Sequence, residues 1–165
     1  MRVPHLDGTA VHYALSLVRP GEIVVIDTSG QSARAIWGGV VTHAAVRAGV
    51  AAVIIDGPVT DWEEITASRL PVWCRGTTSI TARAMTLEGA VEVPIQVGGA
   101  VVRPGDIVFA DSDGVFFVPY EGAAALAEAL VKREAREPEI KRRLDSGEQL
   151  IDINGARARF EENRV

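Results

Sequence analysis

Four carboxylates crowd one short stretch, IIDGPVTDWEEI at 54–65: Asp56, Asp61, Glu63 and Glu64, with no base among them. Asp61 is the acid whose position could do chemistry. It follows the end of an apolar run and opens a helical pattern, where an acid suits an N-cap or first turn and the helix dipole. Thr60 would serve as the cap equally well, with Glu63 and Glu64 behind it in a near capping box. The other chemistry is a hard cation such as Mg²⁺, which takes only one or two protein carboxylates and keeps several waters. The residues alone leave both readings open.

A second candidate precedes it. Gly38 and Gly39 open a helix at 38–49. Glycines let a ligand approach the backbone, and the amides of Val40, Val41 and Thr42 would then face a carboxylate or phosphate at the helix N-terminus. The ordinary alternative is a tight structural bend. Arg75, just after PVWC, is the nearest cation to the Asp61 region, with a surface or interface salt bridge as its alternative role. His43 in the first turn of the helix reads as packing or surface, and His5 and His12 carry no assignment. Asp111 and Asp113 in DSDG read as a hairpin turn. Cys74 is the only cysteine. It cannot form an internal disulfide, reads as a small buried apolar residue, and suits a reducing compartment.

These residues need a scaffold that brings strand ends together. EIVVID (22–27) and VAAVIID (50–56) are apolar runs without alternation, as expected of strands buried on both faces. The helix 38–49 lies between them, with Gly49 placed as a C-cap. Strand, helix, strand is a βαβ unit with parallel strands, and ligands in such sheets bind beyond the C-terminal strand ends. There TSGQSARAIWGG, Gly38-Gly39 and DGPVTD converge. Ahead of the unit, 8–18 has helical spacing and RPG at 19–21 is a turn. Behind it come a helix at about 61–67 and a short strand in PVWCRG. Residues 91–118 read as a meander of short antiparallel strands. A long helix over 121–144 is interrupted at Pro138, and a polar tail over 145–165 is expected to dock on a neighbour. RPGEIVVID and RPGDIVFAD echo each other, as two turns of one type feeding two strands.

Length and composition bound the class. The chain has 165 residues, 47% apolar and 24% charged, with net charge −5. This fits one soluble domain that buries roughly 70% of its unfolded surface. The acidic balance argues against a nucleic-acid partner. No apolar run reaches the ~20 residues of a membrane span, and the N-terminus has no signal-like apolar core, so a cytoplasmic protein is expected. No Walker, zinc-ligand or GxGxxG spacing occurs.

Taken in order, WGGVVTHAAVRAGVAAVIIDGPVTD, PVWCRG and VPIQVGGAVVRPGDIVFADSDGVFFVP resemble the RraA-like family. That family comprises 4-hydroxy-4-methyl-2-oxoglutarate/4-carboxy-4-hydroxy-2-oxoadipate aldolases and regulators of ribonuclease E activity. Some members carry an older demethylmenaquinone methyltransferase label. The likeness spans about residues 8–120, and SGEQLIDINGARARFEE is similar to the aldolase tail. It implies an α/β fold of the β/β/α swivelling type, assembled as a homotrimer or homohexamer with sites between subunits. Residues 1–120 would be the RraA-like domain and 121–165 a helix and tail packing on a neighbouring subunit. It further implies a divalent cation, Mg²⁺ or Mn²⁺, held by Asp61 largely through water. Pyruvate would chelate that cation, its carboxylate meeting the amides of Val41 and Thr42, and the metal would stabilise the enolate left by C–C cleavage. Oxaloacetate decarboxylation would use the same enolate. Neither a nucleic acid nor a membrane is an implied partner.

The chain departs from the family pattern in three places. Thr60 stands where the family has an arginine. Thr gives one neutral hydrogen bond instead of a charged fork, a loss of about 2–4 kcal/mol in transition-state stabilisation. Gly39 stands where the aldolase branch often has an acid, as the regulator branch does. The start is several dozen residues late, so the domain is expected to be N-terminally short, with a sheet edge left exposed unless a neighbour covers it. Two functions follow as expectations. The first is a metal-dependent lyase releasing pyruvate from branched 2-oxo acids, with catalytic Asp61 and Thr60, Arg75 as stand-in for the absent arginine, and Gly38, Gly39, Val40, Val41 and Thr42 holding substrate. The second is a non-catalytic RraA-like binding protein. A methyltransferase lacks its glycine-rich loop.

Overall fold

The computed structural model describes residues 1–4, 6–30 and 33–163, so His5 and the Gln31-Ser32 part of the first loop lie outside it. The chain resolves into two compact units, Met1–Pro119 and Tyr120–Val165.

The first unit is built on a parallel sheet in the order β1-β2-β3, from β1 (Ile23–Ile26), β2 (Ala52–Ile55) and β3 (Val72–Trp73). The expected βαβ unit is present. Every residue of β2 is buried, as its unbroken apolar run requires. Removing side chains such as Ile54 and Ile55 from water contributes about 1.5–3 kcal/mol each. Helix α1 (Thr9–Leu15) precedes the sheet, α2 (Gly39–Ala48) links β1 to β2, and α3 (Trp62–Ser68) links β2 to β3. The core joins Val24, Ile26, Val53 and Ile55 of the strands to Val11, Ala45 and Ile65 of the three helices. Helix α2 stops where its sequence says. Gly49 adopts φ 78°, and the Val50 N–H donates to Ala45 O at 3.0 Å, closing a left-handed cap.

The repeated RPG segments are the same turn. Arg19 N–H donates to the Glu22 carboxylate and Glu22 N–H to Arg19 O. Arg103 and Asp106 repeat the pattern, with φ of 91° at Gly21 and 89° at Gly105. The Asp111 carboxylate accepts from the Asp113 and Gly114 amides and makes the expected hairpin turn.

Over 91–118 the strands form two separate antiparallel pairs, not one meander. They are β4 (Ile95–Val97) with β5 (Ala100–Val102), and β6 (Ile107–Ala110) with β7 (Val115–Val118). The RPG turn separates the pairs, and Pro94, which lacks a ladder donor, ends the irregular stretch before β4.

The second unit is helical. The long helix is two helices, α4 (Tyr120–Glu134) and α5 (Glu137–Asp145), followed by α6 (Leu150–Ile153) and α7 (Arg157–Glu162). Pro138 sits in the first turn of α5, where its missing N–H has no helical acceptor to lose. Arg157 forks onto Asp152, and Arg143 onto Glu148, which fastens the tail locally. No helix of the described residues is long and apolar enough to cross a membrane.

Candidate functional site

The loops leaving β1 and β2 are sewn together beyond the sheet. Thr28 Oγ1 donates to Asp56 O at 2.7 Å, and Thr60 N–H to Trp37 O at 2.9 Å. Trp37 is buried, and its indole N–H donates to Thr42 Oγ1 at 2.8 Å. The chain is thereby fixed just before Gly38.

Asp61 occupies the N-cap position of α3, yet caps nothing there. Its backbone is left-handed, with φ 54° and ψ 45°, a conformation Asp tolerates better than most residues. That turn sends the carboxylate across to the neighbouring helix. Oδ2 accepts from the Gly39 N–H of α2 at 2.9 Å, and Oδ1 accepts from Thr60 Oγ1 at 3.2 Å. Local sequence predicts a cap for α3, whereas the acid serves the first amide of α2, 22 residues earlier.

The approach leaves little space beside either glycine. A Cβ on Gly38 would lie 2.6 Å from Asp61 Oδ2 and 2.6 Å from Thr60 Cγ2. A Cβ on Gly39 would overlap the Glu64 carboxylate. The space an acid at position 39 would enter is therefore filled by the acid at 64.

Thr60, Asp61, Gly38, Gly39, Val40 and Val41 line one cavity of about 190 Å³. Two expected members lie elsewhere. Thr42 is buried, its N–H donates to Gly38 O at 2.9 Å, and its hydroxyl holds Trp37, so its amide is not open to a ligand. Arg75 pairs with Asp56, Nε to Oδ1 at 2.6 Å, while the Gly98 N–H donates to the other oxygen at 2.7 Å. Burial raises the Asp56 carboxyl, and the Gly98 amide with Arg75 outweighs it, leaving a net shift downward. Asp56 thus ties the exit of β2 to the turn before β5, and Arg75 is committed to that carboxylate.

Sequence reasoning passed over the remaining wall, Thr81 to Ala84, with Gly8 and His12 of the α1 region. This segment has no regular ladder. It is held from both sides: Ala35 N–H donates to Ile80 O and Ala82 N–H to Ala35 O, while Arg83 N–H donates to Leu6 O and Gly8 N–H to Arg83 O. Its anchor is Asp7, whose buried carboxylate accepts from the amides of Met85 (2.9 Å), Leu87 (2.6 Å) and Thr9 (2.9 Å), and from Thr9 Oγ1. The one legible signal was Asp-Gly-Thr ahead of α1, an acid followed by a helix start.

The Met85 amide first, then Thr9 and Leu87, hold the Asp7 carboxyl far below the ordinary carboxylate range, against the effect of burial. A depressed folded pKa means stability that is complete above the unfolded value, about 4, and is lost as pH falls below it. Asp7→Ala is expected to lower Tm by about 5–10 °C at pH 7. The gap between the two proteins should narrow as the wild type is titrated below about pH 4. Calorimetry from pH 7 to pH 3 checks both.

The profile of the RraA-like family (Aldolase/RraA) matches residues 1–117. The chain belongs to the RraA-like family. It is similar to the Halalkalibacterium halodurans protein named "Putative 4-hydroxy-4-methyl-2-oxoglutarate aldolase", with 34% identity over 88% of this chain and 69% of that one. Among solved RraA-like structures, Streptomyces coelicolor RraAS2, described as an unusual member of the RNase ES inhibitor RraA family, superimposes with a TM-score of 0.72. It is 29% identical over 81% of this chain and 68% of its own. A Geobacillus kaustophilus structure described as an S-adenosylmethionine:2-dimethylmenaquinone methyltransferase gives a TM-score of 0.66, with 34% identity over 71% of this chain and 73% of its own. Across six curated relatives at 30% identity or more, the chain spans from 24% to 70% of the relative's length.

Proposed function

We propose that this chain is a divalent-cation-dependent lyase that releases pyruvate from 4-hydroxy-4-methyl-2-oxoglutarate-like 2-oxo acids, with oxaloacetate decarboxylation as a second outcome. One observation carries the reading. A single carboxylate, Asp61, is turned by a left-handed backbone into a cavity whose floor is the Gly38–Val41 start of α2.

The donor set fits a hard cation. Among the described residues no cluster of three or more His, Cys, Asp or Glu is poised to hold a metal. A cation here would be held by Asp61 with water completing its shell, a mode Mg²⁺ accepts. Among the described residues, Asp61 Oδ1 has only the Thr60 hydroxyl as donor and keeps lone pairs for it. When bound, such an ion supplies Lewis acidity to a 2-oxo acid.

The chain's own groups have the remaining tasks. The Val40 and Val41 amides at the start of α2 would accept a substrate carboxylate, favoured by the helix dipole. Glu64 fills the space beside Gly39, where the aldolase branch has an acid, but it does not line the cavity. Thr60 would offer a hydroxyl where the family has a guanidinium.

A homotrimer or homohexamer belongs to this reading. Helices α5, α6 and α7 bury no side chain within one chain, and Leu144, Leu150 and Phe160 are exposed there. Packing of 121–165 on a neighbouring subunit would cover them.

The second reading is a non-catalytic RraA-like regulatory protein, favoured by Gly39 and Thr60. The test is pyruvate release from 4-hydroxy-4-methyl-2-oxoglutarate with added Mg²⁺, coupled to NADH oxidation by lactate dehydrogenase. Turnover that EDTA abolishes supports the lyase. Silence from both wild type and Thr60→Arg would sink it and leave the regulatory reading.

A further inference from the structure

Among the described residues, the cavity that holds Asp61 has one arginine in its lining, Arg83, on the wall that sequence reasoning passed over. Resting on the lyase reading, we propose that Arg83 is the specificity-determining residue that selects 2-oxo dicarboxylates, by binding the carboxylate remote from the Asp61 end of the substrate.

The lining residues carry one acid, Asp61, and one permanent cation, Arg83; the rest are apolar, hydroxyl, glycine or His12. The two charges come from different segments. Asp61 is bound to the first amide of α2, while Arg83 belongs to the 81–84 wall. A ligand chelated at the Asp61 end, with its first carboxylate on the Val40 and Val41 amides, would reach that second wall with its other end.

Arg83 is also positioned and uncommitted. Both polar groups of its backbone are engaged, N–H on Leu6 O at 3.0 Å and C=O with Gly8 N–H at 2.8 Å. The chain just beyond it is pinned by Asp7 through Met85 and Leu87. Its root is therefore fixed while its side chain is exposed. Among the described residues no ion pair or side-chain hydrogen bond engages its guanidinium. Arg75, by contrast, is committed to Asp56. A fixed stem with a free planar fork suits bidentate binding of a carboxylate.

The contact has a consequence for selectivity. Pyruvate and 2-oxobutyrate present one carboxylate, for the α2 amides. 2-Oxoglutarate and oxaloacetate present two, and only the second would feel Arg83. A merely structural role for Arg83 would move both classes together.

The test is calorimetric titration of 2-oxoglutarate and of 2-oxobutyrate in saturating Mg²⁺, on wild type, Arg83→Ala and Arg83→Lys, each first checked for an unchanged Tm. Arg83→Ala should weaken 2-oxoglutarate by about tenfold or more and leave 2-oxobutyrate within about twofold. Arg83→Lys should recover part of the loss, since it keeps the charge without the fork. An equal effect on both ligands, or none on either, overturns the role of Arg83 and leaves the lyase reading standing if wild type still releases pyruvate. If wild type neither binds these acids nor releases pyruvate, the lyase reading and the role of Arg83 fall together.

Discussion

Asp61→Asn is expected to abolish Mg²⁺-dependent pyruvate release, a fall on the order of 10³-fold in kcat/KM, without loss of fold. Asparagine suits the test for two reasons. It tolerates the left-handed backbone of this position (φ 54°). Its amide oxygen can also still accept from the Gly39 N–H, so the tie between α3 and α2 survives. What disappears is the charge, and Asp61 is the only acid in the cavity lining. Mn²⁺ binding followed by electron paramagnetic resonance should weaken in parallel, with Tm within about 2 °C of wild type, because the change removes no packed volume. An Asp61→Asn enzyme as active as wild type would move the metal site elsewhere.

Thr60→Arg is expected to act in the opposite direction and raise kcat/KM by about 10²–10³-fold, the range a positioned charged donor contributes to a developing oxyanion. Thr60 is partly exposed and lines the cavity, so a longer side chain at this position has open space to enter. The gain should appear in kcat more than in KM, since the interaction strengthens as negative charge develops. Unchanged turnover in Thr60→Arg, beside an active wild type, would mean that the hydroxyl already suffices.

How much of this could be read in advance varies by element. Strands 22–27 and 50–56 were legible because unbroken Val and Ile runs bounded by Gly and Pro have few other solutions. Gly49 as a C-cap and the paired RPG turns were legible because each depends on local backbone alone. The partner of Asp61 was not. A helix start in sequence is also a helix cap by default, and only the approach of α2 to α3 redirects the carboxylate. Thr42 was misplaced for a related reason. Its amide falls on the far side of the first turn, where Gly38 O already claims it. Arg75 looked close to Asp61 in sequence, but Asp56 takes its guanidinium first. Arg83 was invisible because 77–90 follows neither a helical nor a strand period and is held by bridges to residues far away in the chain.

The anchoring of that segment by Asp7 has a consequence for how the protein is made. Asp7 leaves the ribosome 78 residues before Met85 and 80 before Leu87, the amides that neutralise its isolation. A nascent chain therefore carries the start of the unit unfinished until the middle of the protein has emerged, and the cavity cannot close before then. Such long-range closure belongs to slow-folding topologies.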